Sequence, residues 1–376
     1  MINRIHLENF KACKDIDVRL APLTLLAGTN SSGKSTLLQA IAILRQSHTQ
    51  DGLLTGLRLT GELVQLGQYR DVLSEEAEGD EISINVIEND VDYVWISRGE
   101  LDYNELPFDQ SPSNVPSFVT SPHFQFLQAN RMVPQTLYPQ ASHQARATGF
   151  LGPHGEYTVG FLTTAQKSTV STNRMAPSTV SGVSPEVFEK IAPTDGLLDQ
   201  TAGWLQQLSP GVRLDTIALK ATDEVLLQFR YMGRLREVGS DSYRPTNVGF
   251  GLTYSLPIVV ACLAAPRGAL LLLENPEAHL HPRGQAALGE LISRCANDGV
   301  QVVVETHSDH LLNGVRLAAK KDLIKNSDVA LHFFQRAIET GEAFVQSPTL
   351  FDNGRLSNWP EGFFDQWDKD VDALLD

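Results

Sequence analysis

Gly28-Thr29-Asn30-Ser31-Ser32-Gly33-Lys34-Ser35 is a complete GxxxxGK[ST] phosphate-binding loop. The apolar run at residues 23–27 precedes it, and residues 36–45 have the composition of a helix. In this setting the glycines let backbone N–H groups turn toward a phosphate, and the helix N-terminus adds partial positive charge. The stretch therefore predicts an α/β nucleotide-binding protein.

The chemistry of the loop positions predicts their roles. The Lys34 ammonium is expected to reach the β- and γ-phosphates, and the Ser35 hydroxyl is expected to ligate Mg²⁺. An ordinary glycine-rich turn is the alternative, and the flanking strand and helix patterns argue against it. A nucleotide with Mg is therefore the predicted ligand, and the predicted nucleotide-binding residues of this loop are Asn30, Ser31, Ser32, Gly33, Lys34, Ser35 and Thr36.

Composition narrows the class of protein. The chain has 376 residues, 42% of them hydrophobic, which suits one elaborate domain or two moderate ones. Its net charge of −15 argues against a generally basic surface for nucleic acid, although a local basic groove is compatible with it. No apolar stretch approaches the roughly 18 residues of a membrane span. Without such a span, and without a signal-like apolar core at residues 1–4, we expect a cytoplasmic protein. Cys13, Cys262 and Cys295 lie far apart in sequence and lack metal-ligand spacing, which suits a reducing compartment.

Hydrophobic alternation predicts strands in the first part of the chain, and a helix is predicted from about Lys34. Asn89-Asp90 has the composition of a hairpin turn between two of these strands. The predicted strands cover residues 2–10, 18–26, 63–66, 82–87 and 91–96.

Residues 97–243 have a weaker pattern and are predicted to form an α+β insertion. Within this insertion, the Ser/Thr-rich residues 163–184 are expected to form a mobile surface loop, with a regulatory or partner-binding site as the alternative. Residues 212–219 and 225–231 are predicted to form a second hairpin.

Three later motifs would complete a nucleotide site. Residues 270–274 (LLLLE) and 302–308 (VVVETHS) each form an apolar run that ends in polar residues. Buried parallel strands have this pattern, and they deliver side chains to one edge of a sheet. Glu274 is therefore a predicted Mg²⁺ ligand, and His307 is placed to contact a γ-phosphate or the attacking water. The glycines of residues 247–251 (NVGFG) precede a helical stretch, so they predict a second anion site.

Together these residues resemble the ATP-binding cassette class of ATPases, particularly the OLD-like and SMC-like heads grouped with prokaryotic AAA-type ATPases. The order of motifs carries the resemblance: phosphate loop, signature-like glycines, the acidic strand followed by residues 276–282 (PEAHLHP), and residues 306–308 (THS). The resemblance covers about residues 1–75 and 244–320. It implies a P-loop NTPase of ATP-binding-cassette type, with a mixed central sheet and helices.

In such ATPases two heads enclose two ATP molecules. The resemblance implies that Gly249 and Gly251 act on the nucleotide of the partner subunit, and Asn247 of the same segment is a further predicted nucleotide-binding residue. It further makes Glu274 the Mg²⁺-associated catalytic acid and His307 the switch histidine, and it places residues 278–280 at the contact between heads. A glutamine normally joins the metal site, and Gln65 and Gln68 are both candidates.

The chain departs from the family pattern in two places. Gly249 stands where many relatives have serine, and Asn275 stands where a catalytic glutamate usually follows the strand acid. A neutral amide cannot act as a general base. Either hydrolysis is slow, or Glu277 supplies the carboxylate.

The predicted function is an ATP-hydrolysing dimeric or higher-order switch that regulates a separately encoded nuclease or toxin in anti-phage defence. The alternative is an SMC-like DNA-repair ATPase that clamps DNA directly. The aromatic residues 359–367 resemble the ending of a bacterial ATPase subgroup, and they either dock a partner or cover the chain's own core. The predicted segments are an N-terminal ATPase part (1–96), the insertion (97–243), a C-terminal ATPase part (244–345) and a tail (346–376).

Overall fold

The computed structural model describes residues 1–51, 53, 55–100, 103–232, 241–364 and 366–375. These residues form two compact units. The first unit comprises Met1–Pro122, Val303–His307 and Lys325–Asp376, and the second comprises His123–Val302 and Ser308–Ile324. Among the described helices, none combines the length and the apolar character needed to cross a bilayer.

The secondary structure alternates strands and helices along the chain. The strands are β1 Ile2–Phe10, β2 Cys13–Arg19, β3 Leu23–Gly28, β4 Gly56–Arg58, β5 Ile82–Glu88, β6 Val91–Ser97, β7 Glu105–Gln110, β8 Phe124–Leu127, β9 Leu137–Pro139, β10 Val212–Ala218, β11 Glu224–Tyr231, β12 Leu270–Glu274, β13 Gln301–Glu305, β14 Val329–Arg336 and β15 Ala343–Gln346. The helices are α1 Lys34–Asp51, α2 Tyr69–Val72, α3 Ser117–Thr120, α4 His143–Thr148, α5 Thr158–Ala165, α6 Pro185–Ile191, α7 Leu197–Leu208, α8 Phe250–Ala264, α9 Pro282–Asn297, α10 Asp309–Lys320 and α11 Gln366–Leu375.

An antiparallel sheet of the first unit has the strand order β2-β1-β5-β6-β7-β4. Alternate residues of β5 are buried, as its sequence predicts for a strand with one face on a core. Asn89 and Asp90 have φ angles of 50° and 64°, the left-handed pair that a tight hairpin turn needs. The predicted hairpin of β5 and β6 is confirmed.

The second sheet of the first unit places β3 between β14 and β13. Strand β3 runs parallel to β14, and its residues 23–27 are almost completely buried. The single strand predicted at residues 18–26 is wrong, because β2 ends at Arg19 and β3 begins at Leu23. Between them Pro22 has no backbone N–H, and the Ala21 N–H donates to the Thr24 hydroxyl at 3.0 Å. The chain therefore turns here before it enters the phosphate loop.

Helix α1 follows the phosphate loop and is buried along much of its length. Its Gln46 side chain accepts hydrogen bonds from the backbone of Leu63 and Val64, both at 2.9 Å. Those two amides are then not available to a strand partner. The strand predicted at residues 63–66 is accordingly absent, although the predicted helix from Lys34 is confirmed.

The second unit is built around helix α8, which is apolar on all sides and buried from Leu252 to Leu263. Strand β8 pairs in parallel with β12, and β10, β11 and β9 form an antiparallel sheet that contains the predicted hairpin of β10 and β11. Helices α9 and α10 cross closely at two glycines. A Cβ at Gly314 would lie 2.1 Å from the Ala286 carbonyl oxygen, so larger residues would separate the helices.

Most residues of the Ser/Thr-rich segment lie at the surface and outside regular secondary structure, as predicted, but the segment is anchored to its unit by one buried arginine. Arg174 lies in its middle, is only 3% exposed, and pairs with the buried Asp298 carboxylate at 2.8 Å. The Trp204 indole N–H donates to the Arg174 carbonyl at 2.8 Å. Burying an arginine costs desolvation free energy, and partners such as these offset that cost. Composition could not reveal a carboxylate that lies more than a hundred residues further along the chain.

The C-terminal tail covers part of its own unit. Phe363 is 1% exposed, and its ring lies 5.0 Å from the ring of Phe333 in β14, edge to face. Trp359 contacts Phe363 at 5.6 Å between ring centroids, although its own side chain is 48% exposed. The structure therefore favours the interpretation in which the tail packs on the core.

Candidate nucleotide-binding site

The phosphate loop lies in the first unit, between β3 and α1. Gly28 has a φ of 142°, and a Cβ there would lie 2.1 Å from the Phe334 carbonyl oxygen in the adjacent strand β14. Gly33 has a φ of 102°, which also favours glycine. Residues 29–31 are exposed, whereas Ser32 is buried and its hydroxyl donates to the Thr29 carbonyl at 2.8 Å. The loop is therefore fixed at both ends and open at its tip.

Lys34 is 3% exposed, and its ammonium group lies inside the loop. It donates to the carbonyl oxygens of Gly28 at 3.1 Å and Thr29 at 2.6 Å. Burial lowers the pKa of Lys34, and the negative charge of Glu305 partly offsets this effect. Ser35 is half-buried and Thr36 is buried at the start of α1. This is the placement from which a lysine can reach the phosphates of a nucleotide.

Glu305 is a site residue that our sequence reasoning missed. It ends β13, is 5% exposed, and its Oε1 atom lies 4.0 Å from the Lys34 Nζ atom. The Thr306 N–H donates to the Leu26 carbonyl at 3.0 Å, which fixes the end of β13 beside β3. The signal was present, because residues 301–305 (QVVVE) repeat the pattern of apolar run and terminal acid seen at residues 270–274.

His307 lies in the same unit at an exposed position, two residues beyond β13. Its pKa is lowered by partial desolvation of the ring and by the positive charge of Lys34, whereas a hydrogen bond to the Gly28 backbone raises it. The imidazole is therefore largely neutral at neutral pH and can both donate and accept a hydrogen bond. Within the first unit, the structure brings together Lys34, Glu305 and His307.

The acidic strand β12 lies in the second unit. Its Glu274 is half-buried, and the Glu274 Oε2 atom accepts a hydrogen bond from the Ala129 N–H at 2.9 Å. Strand β8 runs parallel to β12 with Leu127 opposite Leu273. Gln128 and Glu274 therefore occupy matching positions at the same edge of the paired strands. Gln128 becomes a third candidate for the metal-site glutamine, beside Gln65 and Gln68 of the first unit.

Two polar residues follow the acidic strand. Asn275 has a φ of 43°, and its Oδ1 atom is buried without a hydrogen-bond donor among the described residues. Glu277, the predicted alternative base, is 7% exposed. Amide and carboxylate oxygens are the ligands that a hard cation such as Mg²⁺ prefers. The donor set at this strand end therefore fits the predicted metal.

The signature-like segment, residues 247–251, leads into helix α8, and its two glycines have different surroundings. A Cβ at Gly251 would lie 2.5 Å from the His279 carbonyl oxygen, so this glycine is required by packing within its own unit. A Cβ at Gly249 would meet no atom of the described residues within 4 Å. Asn247, Gly249 and Phe250 are all exposed. Only the tip of the segment is open to another molecule.

Three family descriptions match parts of the chain. Residues 1–138 match "AAA ATPase domain", and residues 189–313 match "AAA domain, putative AbiEii toxin, Type IV TA system". Residues 324–374, which include β14 and the tail, match "Protein of unknown function (DUF3696)". The chain accordingly carries AAA-type ATPase domains and ends in a segment whose function is not assigned.

Similar proteins support the same class. An OLD nuclease from Thermus scotoductus is 43% identical over 44 residues, which is 12% of this chain and 8% of the nuclease. An SMC head bound to the C-winged helix domain of ScpA matches with a TM-score of 0.50 and 13% identity, over 93% of this chain and 98% of that one. An SMC head from Pyrococcus furiosus with an extended coiled coil, bound to the C-terminal domain of ScpA, gives 0.50 and 12% over the full length of both. At these identities the SMC structures show the fold alone.

The fold and the family matches define an ATPase of the P-loop class. Its mixed α/β architecture is that of SMC and ATP-binding-cassette heads, and its domains are AAA-type ATPase domains. The predictions of fold class, of resemblance and of ATPase class are confirmed.

Proposed function

We propose that this chain is an ATP-driven dimeric switch that regulates a separately encoded effector, a nuclease or a toxin, in anti-phage defence in the bacterial cytoplasm. The observation that carries the proposal is the exposed tip of the signature-like segment. Gly249 and Phe250 lie at the start of α8. A Cβ at Gly249 would meet no atom of the described residues within 4 Å, and 39% of the Phe250 surface is exposed. A solvent-facing helix N-terminus that is preceded by glycine can bind an anion, here a phosphate of the nucleotide held by a second copy of the chain.

The nucleotide is proposed to lie on the phosphate loop, with Lys34 at the β/γ-phosphates. Ser35 and Glu274 are the proposed oxygen ligands of Mg²⁺, and Gln128 is added to them because it ends the strand paired with β12. When bound, Mg²⁺ would neutralise charge that develops on the phosphates. Asn247 and Gly249 are proposed to contact the nucleotide that is bound to the other subunit. Gly251 is proposed to contribute indirectly, because its close packing sets the shape of the segment.

The residues proposed to assist hydrolysis are Glu274, Glu277 and His307. A neutral imidazole at His307 can hydrogen-bond to a phosphate oxygen or to the attacking water. Glu277 provides a carboxylate next to Asn275, where the family has its usual base. If Glu277 does not act on water, the chain hydrolyses ATP slowly, which suits a switch that must persist in its ATP-bound form.

The link to defence is supported by the description of the family at residues 189–313, which names an AbiEii toxin, and by the short similarity to an OLD nuclease. An effector on a separate chain is proposed because the family resemblance associates such ATPases with separately encoded nucleases or toxins. The second candidate, an SMC-like DNA-repair ATPase, is supported by the SMC head fold. The net charge of −15 weighs against direct DNA clamping.

Light scattering tests the switch, using the wild-type chain with Mg²⁺ and a non-hydrolysable ATP analogue. We expect the mass to double with the analogue, because each nucleotide would then contact both subunits. Gly249→Asp should block this doubling, since a carboxylate at the tip repels phosphate. Gly79→Asp is the matched control, because Gly79 also has open space around it. A wild-type mass that stays monomeric would contradict the proposal.

A duplex DNA probe separates the two candidates. For a switch with a separate effector, we expect the ATP-bound dimer to leave the fluorescence anisotropy of the probe unchanged at physiological salt. ATP-dependent binding that weakens steeply with salt would instead support the DNA-clamping ATPase.

A further inference from the structure

Arg131 lies in the loop that follows β8 and is 2% exposed. Its guanidinium group donates to four backbone carbonyl oxygens. Those of Gln128 and Asn275 lie at 3.0 Å and 2.7 Å, and those of Tyr254 and Glu274 complete the set. The group also stacks 4.2 Å from the centre of the Tyr254 ring. Burial lowers the pKa of Arg131 to about 10, which leaves the side chain charged.

The four carbonyls belong to three different parts of the second unit. Gln128 follows β8, Glu274 ends the acidic strand and Asn275 follows it, and Tyr254 lies in the first turns of α8. The Tyr254 hydroxyl donates to the Ala129 carbonyl, and the Ala129 N–H donates to Glu274. The Tyr254 ring is also 4.9 Å from the ring of His279, which in turn lies 4.6 Å from the ring of Phe250 at the signature tip.

We infer that Arg131 is a positioning residue that couples the signature helix α8 to the end of the acidic strand. The inference rests on the proposed function, in which Glu274 and the tip of α8 act on nucleotide. A planar guanidinium with five donors is suited to hold several carbonyls in one geometry, whereas a lysine ammonium is a point charge with three donors. A movement of Phe250 or His279 on contact with a second subunit would reach Glu274 and Asn275 through Tyr254 and Arg131.

Arg174 provides a matched control at the opposite end of the same helix. It is 3% exposed and donates to the carbonyl oxygens of Cys262 and Ala265, where α8 ends. It is therefore as buried as Arg131 and also fixes α8, but its partners include none of the residues around Glu274.

The experiment compares Arg131→Lys with Arg174→Lys in the full chain by steady-state ATP hydrolysis, thermal unfolding and hydrogen–deuterium exchange. We expect both variants to lose stability. Only Arg131→Lys should lower kcat, by roughly 10- to 100-fold as expected for misplaced catalytic groups, with KM for ATP nearly unchanged. Only Arg131→Lys should speed exchange in residues 275–280. Tyr254→Leu removes the stacked ring but keeps the carbonyl, so it should lower kcat by a smaller factor.

Equal effects of the two arginine variants on kcat and on exchange in residues 275–280 would overturn the inference. If Arg131→Lys does not fold, an unchanged kcat in Tyr254→Leu overturns it. A wild-type chain without ATP turnover would count against the proposed function, and the exchange measurement would still test the coupling by Arg131.

Discussion

The buried pair of Lys34 and Glu305 allows one perturbation to be worked out in numbers. The charged atoms lie 4.0 Å apart and both side chains are at least 94% buried. At an effective dielectric constant of about 20, their Coulomb attraction is about 4 kcal/mol. Desolvation of the carboxylate opposes this gain, and breaking such a pair typically costs about 3–5 kcal/mol. Lys34 keeps its two carbonyl acceptors, so Glu305→Gln should lower the free energy of unfolding by about 3 kcal/mol.

The same substitution should strengthen nucleotide binding. The Glu305 carboxylate neutralises the ammonium that is expected to meet the phosphates, and its negative charge repels them. Without it, we expect the affinity for ATP to rise by about tenfold, equivalent to about 1.4 kcal/mol. Urea denaturation followed by tryptophan fluorescence, to which the buried Trp95 of the same unit contributes, measures the first effect, and calorimetric titration with ATP measures the second.

Glu342→Gln is the control for this experiment. Glu342 pairs with Lys14 at 3.0 Å on the surface of the same unit, where solvent screens the ion pair, so this substitution should leave the free energy of unfolding nearly unchanged. Glu305→Gln with unchanged stability would refute the electrostatic reasoning. Weaker ATP binding together with lost hydrolysis would show that Glu305 instead acts directly on the nucleotide, its metal or the attacking water.

Two further predictions concern hydrolysis and pH. If Glu277 is the general base, Glu277→Gln should lower single-turnover hydrolysis by roughly 10² to 10⁴ with ATP binding retained. If the site is built for slow hydrolysis, Glu277→Gln should change little and Asn275→Glu should raise the rate. An unchanged rate in both variants would show that this strand end does not act on the nucleotide. Because the pKa of folded His307 lies below its ordinary value of 6.5, the unfolded chain binds a proton first as the pH falls. Stability should therefore be full above pH 6.5 and decrease below it, and His307→Gln should reduce this decrease when urea midpoints are compared between about pH 7.5 and about pH 5.5.

The parts of the site that could be predicted from sequence are those encoded within a few residues. The phosphate loop and the hairpin at Asn89-Asp90 are examples, because their backbone angles depend on local residue types. The ends of β12 and β13 were also predictable, since a buried parallel strand is a continuous apolar run. Glu305 also ends such a run, but the run alone does not show that its carboxylate faces Lys34, which is distant in sequence.

The remaining features depend on partners that are distant in sequence. Arg131 contacts backbone atoms 123 to 144 residues away, so no local pattern marks it as important. Arg174 lies in a Ser/Thr-rich stretch whose composition predicts a surface loop, yet Asp298 makes its burial favourable. The different roles of Gly249 and Gly251 likewise become visible only when the His279 carbonyl is placed beside α8.

The most direct test of the nucleotide site is ATP binding and turnover by Lys34→Ala beside Lys14→Ala, with circular dichroism to check the fold. Lys34→Ala leaves the Glu305 carboxylate buried without its partner, which could unfold the chain. A double variant, Lys34→Met with Glu305→Gln, removes both buried charges and provides a second test in that case. We expect ATP binding or turnover to be abolished in both Lys34 variants and to be unchanged in Lys14→Ala. Wild-type affinity and turnover in a folded Lys34 variant would contradict the assignment of residues 28–35 as the site of ATP.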